Sequence, residues 1–269
     1  GTVNAKLATG EVELIAKRLV VLNRSKTPPF DISETTNASE DLRLKYRYLD
    51  LRRPPLQERL RIRHRAAKAV RDYLDAQGFY EIETPLLMRS TPEGARDYVV
   101  PSRIHKGRFY ALPQSPQLMK QILMVAGFDR YFQLARCLRD EDLRADRQPE
   151  HTQIDMEMAF VTPDDIWGVV EGMMEHVFRE VLGVRVIIPF QRLTFHQAMD
   201  TYGSDKPDLR YDLPIVDLSA AVAGSGFRVF ADTGAKGGRV AGLRAPTMAG
   251  QSRRQIDEWE QIVKDAGAA

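Results

Sequence analysis

The chain has 269 residues, 43% hydrophobic and 28% charged, with a formal net charge of only +2, one cysteine and five histidines. That length suits one large or two smaller globular domains. No apolar run nears the roughly 20 residues of a membrane span, no signal peptide opens the chain, and a single Cys137 excludes an internal disulfide framework or a cysteine-cluster zinc site. The histidines show no paired ligand spacing, and a reducing, cytoplasmic setting fits.

Residues 1–27 alternate as strands do, with Val12, Leu14 and Ala16 against Glu11, Glu13 and Ile15, then Leu19–Leu22. The pattern reads as the tail of a β-domain. Thr27-Pro-Pro-Phe30 breaks it, and the polar residues 31–40 read as linker. From Arg43 to Asp72 there are eleven Lys/Arg against three Asp/Glu. Such a segment suits either a phosphate backbone or a plain solvated helix face.

Pro54-Pro55 precedes a helical stretch whose Leu60, Ala66, Ala67, Val70, Tyr73 and Leu74 recur at three and four residue steps, and Gly78 follows as its stop. Phe79–Pro85 reads as a short strand, residues 90–97 as a turn-rich loop and Arg108–Leu112 as another strand. Ser115-Pro116 suits a helix start, serine as N-cap and proline at the first helical position, with Leu118, Ile122, Leu123 and Val125 on the apolar side and Gly127 at the end. Tyr131–Leu138 and Thr152–Phe160 predict an antiparallel pair around a loop crowded with charge. A helix is predicted over Pro163–Leu182. Beyond Arg210 short apolar runs with Gly and Ala suggest a separate small domain. Strands and helices do not alternate regularly, so the pattern indicates an α+β fold. Neither GxxxxGK[ST] nor GxGxxG occurs.

The predicted strand pair carries the most chemistry. Ile154, Met156, Met158 and Phe160 share one face, while Gln153, Asp155 and Glu157 share the other. Opposite, Gln133, Ala135, Cys137 and Arg139 also fall on one side. Small Ala and Cys leave room, and acids with an arginine line it. That suits a polar ligand floor, or an ordinary sheet with one face in water. The loop Cys137–Glu150 mixes acids and arginines more densely than a turn requires. Arginine's planar fork matches carboxylate and phosphate oxygens, and acids there can hold arginines or a magnesium that travels with ATP.

Within Phe132–Phe160, Leu138-Arg-Asp-Glu141 resembles motif 2 of the class II aminoacyl-tRNA synthetases, and Arg139-Asp-Glu-Asp-Leu-Arg-Ala-Asp-Arg-Gln-Pro149 resembles the bacterial-type aspartyl enzymes in particular. Gly78–Pro85 after its helix is similar to motif 1, the dimer-interface element. Thr91-Pro-Glu-Gly-Ala-Arg-Asp97 is similar to the family's mobile loop over the amino-acid site, and Gln114-Ser-Pro-Gln-Leu-Met-Lys120 to its aspartate-recognition segment. Tyr202–Asp208 matches a further family stretch.

The resemblance implies an α+β fold with a class II antiparallel sheet flanked by helices. It implies the end of an anticodon-binding β-barrel at 1–27, a linker at 28–56, the catalytic core at 57–210 and the start of a small α/β insertion domain at 211–269. It implies a homodimer, no membrane, and ATP, magnesium, L-aspartate and tRNA as partners. Whether the tRNA is that of aspartate alone or also of asparagine stays open.

By the same resemblance Arg139 clamps the substrate carboxyl group and the ATP α-phosphate, and Glu141 contacts the adenylate. Asp140, Gln148 and His151 face ATP. Ser115, Gln153 and Asp155 hold the ammonium of aspartate, with Glu93 closing over it. Gln117 and Lys120, three apart on a helix, share a face near an N-terminus that attracts anions. An ammonium there meets a side-chain carboxylate. Cys137 reads as packing.

His151 departs from the phenylalanine of many relatives, and an imidazole there can change its charge near neutral pH. Motif 3, with its ATP-binding arginine, does not occur within the chain, which is therefore expected to be inactive alone. An asparaginyl- or lysyl-type synthetase, a non-catalytic tRNA-binding or dimerisation module, and a metal-dependent hydrolase are the alternatives. Lys120 argues against the first two substrates, intact Arg139, Gln117 and Lys120 against decay, and the lack of a histidine-rich ligand set against the last.

Overall fold

The computed structural model describes residues 3–7, 9–91, 93–142 and 147–267. Pro92 and the charged-loop residues 143–146 lie outside them. The chain forms two compact units, Gly1–Pro189 and Phe190–Ala269.

In the first unit, α1 (Glu40–Lys45) starts where the Ser39 hydroxyl accepts from the Leu42 amide, with Glu40 and Asp41 in the first turn and Arg43 and Lys45 in the last. After α2 (Arg47–Asp50), α3 (Pro54–Ala76) opens on its proline pair. It ends before Gly78, whose φ of 78° turns the chain toward β1 (Tyr80–Glu81). A two-stranded ribbon follows, β2 (Val99–Pro101) and β3 (Phe109–Ala111), then α4 (Gln117–Val125). The long strands β4 (Arg130–Leu138) and β5 (Glu150–Met158) pair antiparallel. The helix α5 (Pro163–Leu182) has the predicted bounds. The Asp165 carboxylate accepts from both the amide and the hydroxyl of Thr162, at 2.8 and 2.7 Å, and Gly183 closes the helix at a φ of 67°.

The sheet runs β1-β4-β5, with β1 parallel to β4. The sheet is therefore mixed, a correction to the antiparallel sheet expected. The ribbon and helix between β1 and β4 supply the crossover connection that a parallel pair requires. On its apolar face α3 and α5 pack against Phe132, forming a core of Val70, Leu74, Phe79, Phe132, Val169 and Met173, with Leu134, Met156 and Met158 beside it. Each such side chain, fully buried, contributes about 1.5–3 kcal/mol. The opposite face carries Gln133, Ala135 and Cys137 on β4 against Asp155, Gln153 and His151 on β5. It is not a sheet face in water, since Gln133 and Asp155 are 8% and 2% exposed.

Three further expectations are corrected. The described residues of 3–27 form no strand, although they alternate. Leu14, Leu19 and Leu22 are 95%, 85% and 94% exposed, and alternation without a partner strand leaves backbone groups to water. Phe160 lies past the end of β5 at a φ of 57° and 99% exposed, so it does not extend the apolar stripe. Ser115 is not the N-cap of α4: Pro116 is, with no side-chain cap bond, because the serine hydroxyl is engaged elsewhere.

The second unit contains α6 (Phe195–Tyr202), β6 (Ile215–Asp217), α7 (Ser219–Val222), α8 (Arg228–Ala235), β7 (Ala241–Leu243) and α9 (Arg253–Asp265), with β6 and β7 antiparallel. It begins before the change of texture at 210. The end of α6 packs on β6, where a Cβ on Gly203 would meet Ile215 Cδ1 at 3.5 Å.

Candidate amino-acid and nucleotide site

The polar face of the β4–β5 pair is roofed by α4, and the two meet through Lys120. Its ammonium, 12% exposed, lies 3.2 Å from Asp155 Oδ1 and 3.3 Å from Glu157 Oε2. It also donates to Asp155 Oδ2 at 3.3 Å. The same Oδ2 accepts from Gln153 Nε2 at 2.9 Å. Burial pushes the Asp155 carboxyl up, opposed by the charge and hydrogen bond of Lys120 and by the bond from Gln153. Gln117 is half-buried at the first position of α4, one turn before Lys120.

Beneath this cluster Gln133 Oε1 accepts from Tyr131 Oη at 2.9 Å and from Thr84 Oγ1 at 3.0 Å. Tyr131 is fully buried, and its phenol is pushed far above the ordinary range, first by burial and then by Asp155, Cys137 and Glu157. It stays a neutral donor.

On the loop side, Glu93 accepts from Ser115 Oγ at 2.7 Å and from Thr91 Oγ1 at 2.9 Å. A second carboxylate thus stands at the start of α4. Gln114, 2% exposed, pairs with Ala95 as a peptide would: it accepts from the Ala95 amide at 3.1 Å and donates to the Ala95 carbonyl at 2.8 Å.

Past the end of β4, Arg139, Glu141, Gln148 and His151 line one cavity of about 470 Å³ together with Asp142, Arg147 and Pro149. An imidazole, an amide and two guanidinium groups around such a space suit a planar base and phosphate oxygens. Among the described residues the buried Arg139 Nε has no hydrogen-bond partner. Asp140 faces an adjoining cavity of about 330 Å³ with Gly94, Ala95 and Arg96, and Glu141, Asp142 and Arg147 border both.

Lys120 lines neither of these cavities, and Cys137 on β4 lies on the same face as Gln133. That fully buried thiol is pushed up by burial, pulled down by Arg139, raised by Asp155 and Glu93, and pulled down by Lys120.

Of the sequence-predicted residues, Glu93 is tied to Ser115, Lys120 and Gln153 to Asp155, Arg139, Glu141, Gln148 and His151 line one cavity, Asp140 lines the adjoining one, and Gln117 stands one turn before Lys120 on α4. Sequence reasoning missed Glu157 as a partner of Lys120, although its two-residue spacing from Asp155 signalled the shared face. It placed Gln133 on the polar face and Gln114 in the aspartate-recognition stretch without their partners, and it missed Tyr131 and Thr84; the partners lie 2 to 49 residues away. Among the described residues no three His, Cys, Asp or Glu side chains cluster as a metal site, and no helix is long and apolar enough to cross a membrane.

The sequence matches the family model of tRNA synthetases class II (D, K and N) over residues 39–260. Over 268 residues it is 63% identical to an aspartate–tRNA(Asp/Asn) ligase of Moorella thermoacetica, covering 100% of this chain and 45% of that protein. It is 57% identical over 262 residues to an aspartate–tRNA ligase of Ruminiclostridium cellulolyticum, covering 97% and 44%. It is 55% identical over 268 residues to an aspartate–tRNA ligase of Halalkalibacterium halodurans, covering 99% and 45%. The chain thus spans under half the length of the curated relatives it matches.

Proposed function

This chain belongs to the class II tRNA synthetases of the D, K and N group, and we propose that the protein it forms part of is an aspartate–tRNA ligase. The observation that carries the reading is Lys120, a charged group held at the floor by Asp155 and Glu157, one helix turn after Gln117. A carboxylate side chain gains a partner there. A neutral amide gains less, and a lysine side chain is repelled.

In this reading Lys120 meets the side-chain carboxylate of aspartate. Ser115, Gln153 and Asp155 hold its ammonium, Glu93 closes over it, and Gln117 contributes to the same aspartate site beside Lys120. Arg139 bridges its α-carboxylate and the ATP α-phosphate, and Asp140, Glu141, Gln148 and His151 hold the nucleotide. Glu141 and Asp142, which line the cavity, would hold the magnesium that accompanies ATP and offsets its phosphate charge.

The α-carboxylate oxygen attacks the α-phosphorus and pyrophosphate leaves, giving aspartyl-adenylate. A ribose hydroxyl at the tRNA 3′ end then attacks the activated carbonyl, and AMP leaves. The chain's side chains position reactants and offset phosphate charge without forming a covalent intermediate.

Around this core, residues 1–27 are the end of an anticodon-binding barrel, 28–56 a linker, 57–210 the catalytic core and 211–269 the start of an insertion domain. Gly78–Pro85 contributes to a homodimer interface, and the enzyme works in the cytoplasm.

The full-length protein is expected to catalyse ATP–pyrophosphate exchange with aspartate and not with asparagine; equal exchange with asparagine defeats the substrate reading. The Moorella relative is named for two tRNAs. Aspartylation of separate aspartate and asparagine tRNA transcripts decides between a one-tRNA and a two-tRNA enzyme.

A further inference from the structure

Three segments far apart in sequence are tied to one another in a closed ring. The Leu138 amide donates to the Pro113 carbonyl at 2.9 Å, joining the end of β4 to the approach to α4. Gln114, next along, makes its two bonds to Ala95 and a third, 2.5 Å, to Asp97 Oδ1. The ring closes where the Asp140 amide donates to the Arg96 carbonyl at 3.0 Å and Arg96 Nε donates to the Asp140 carbonyl at 3.3 Å. Residues 95–97 are thus bonded on one side to the segment that leads into Ser115 and Lys120, and on the other to the segment between Arg139 and Glu141.

Each bond matters because its groups have no cheap substitute. Gln114 is nearly solvent-free, and a buried polar group left unpaired costs about 1–3 kcal/mol. A shift of 95–97 therefore either breaks these bonds or carries 113–115 and 138–140 with it. Glu93, two residues before Ala95, is bonded to Ser115. Glu141, one residue after Asp140, borders both cavities.

We propose that Gln114 is a positioning residue that couples amino-acid binding to nucleotide binding through Ala95–Asp97. The proposal rests on the ligase reading for the identity of the two ligands. Nucleotide in the 139–151 cavity fixes Asp140, which fixes Arg96. Gln114 then transmits that ordering to the Glu93–Ser115 contact over the amino-acid floor. Coupling of this kind is reciprocal.

The test measures aspartate affinity calorimetrically in the full-length protein, with and without α,β-methylene-ATP, which cannot form an adenylate. In the wild type the analogue is expected to tighten aspartate at least about fivefold, the lower end for coupled sites, and aspartate to tighten the analogue by the same factor. In Gln114→Met the factor falls close to one, whatever weakening of each ligand alone follows from the loss of its three bonds. A purely structural role weakens each ligand alone and leaves the factor unchanged, and that result overturns the proposal. So does a wild-type factor of one.

Should Gln114→Met not fold, hydrogen exchange on the wild type decides. The analogue alone must slow exchange in the peptide 93–97, and no slowing overturns the coupling. Wild-type protein that binds the analogue but no aspartate removes the ligase reading instead, and this proposal with it.

Discussion

Lys120 and Asp155 meet at 3.2 and 3.3 Å, the ammonium reaching from a helix and the carboxylate from a strand 35 residues later. With Glu157 at 3.3 Å from the same nitrogen, two acids flank one cation; the Lys120, Asp155 and Glu157 side chains are 12%, 2% and 30% exposed. Removing charges from water is costly unless they are paired. The pairing keeps a positive charge ready at the floor, and a third carboxylate, from a ligand, would share a cation that the protein has already dehydrated.

Replacing Lys120 by Met removes the charge and keeps much of the apolar stem. Aspartate-dependent exchange should fall by about 10- to 100-fold, the scale of a lost hydrogen bond to a charged group. ATP affinity should change little, because Lys120 does not line the nucleotide cavity. Initial rates at varied aspartate and at varied ATP separate the two effects, and an unchanged aspartate dependence contradicts the role.

The same variant should alter the pH dependence of stability. Burial raises the folded-state affinity of Asp155 for a proton, and Lys120 opposes this by charge and by hydrogen bond. A carboxyl raised in the folded state contributes stability below its unfolded value and loses it as pH rises through the folded one. Without Lys120 the folded value moves higher and the loss extends further up the pH scale. Thermal unfolding should therefore show a larger deficit of Lys120→Met at pH 8 than at pH 5; an equal deficit at both counts against the pairing.

Asp50 is fully buried and faces Arg47 at 2.6 Å, Arg53 at 3.0 Å and Arg43 at 3.9 Å. Arg53 in turn donates to the Ser33 and Glu34 carbonyls at 3.0 and 2.7 Å. Asp50→Asn leaves the guanidinium groups without their counter-charge. It should cost about 3–5 kcal/mol, as for other broken buried pairs. Residues 31–36 should become more susceptible to limited proteolysis, since Arg53 ties them down. Unaltered denaturant midpoint and cleavage would refute this.

Gly172 on α5 lets α3 approach: a Cβ there would stand 2.0 Å from Tyr73 Oη and 2.9 Å from Cζ. Alanine normally favours a helix over glycine by about 1 kcal/mol. Here Gly172→Ala is expected to lower the melting temperature, because a rigid ring must move within the α3–α5 contact. Tyr73→Phe removes the nearest atom, so the alanine should cost less in that background. A double-mutant cycle reads the difference, and additivity would show that the two positions do not touch.

Much of the first unit was legible because its signals are local. Pro163, Gly183 and the apolar period between them delimit α5 within a single stretch of chain. Alternation likewise placed Gln153, Asp155 and Glu157 on one face, since a strand's two-residue period needs no partner to be read. The motif residues Arg139, Glu141, Gln148 and His151, picked out by a family resemblance within one stretch of chain, line a single cavity. Ser115 shows the limit: as a short-range signal it reads as a cap, yet its hydroxyl bonds Glu93, 22 residues earlier.

The amino-acid sequence by itself thus determined which segments form helices and strands and which residue types face the polar floor. It also carried the likeness to a known family. Only the tertiary structure decided that β1 joins β4 in parallel, that the described alternating residues near the start form no strand, and that Gln114 binds Ala95. The reason is physical: periodicity and capping depend on neighbours within a few residues, whereas a buried amide or carboxylate settles on whichever distant partner excludes water with it.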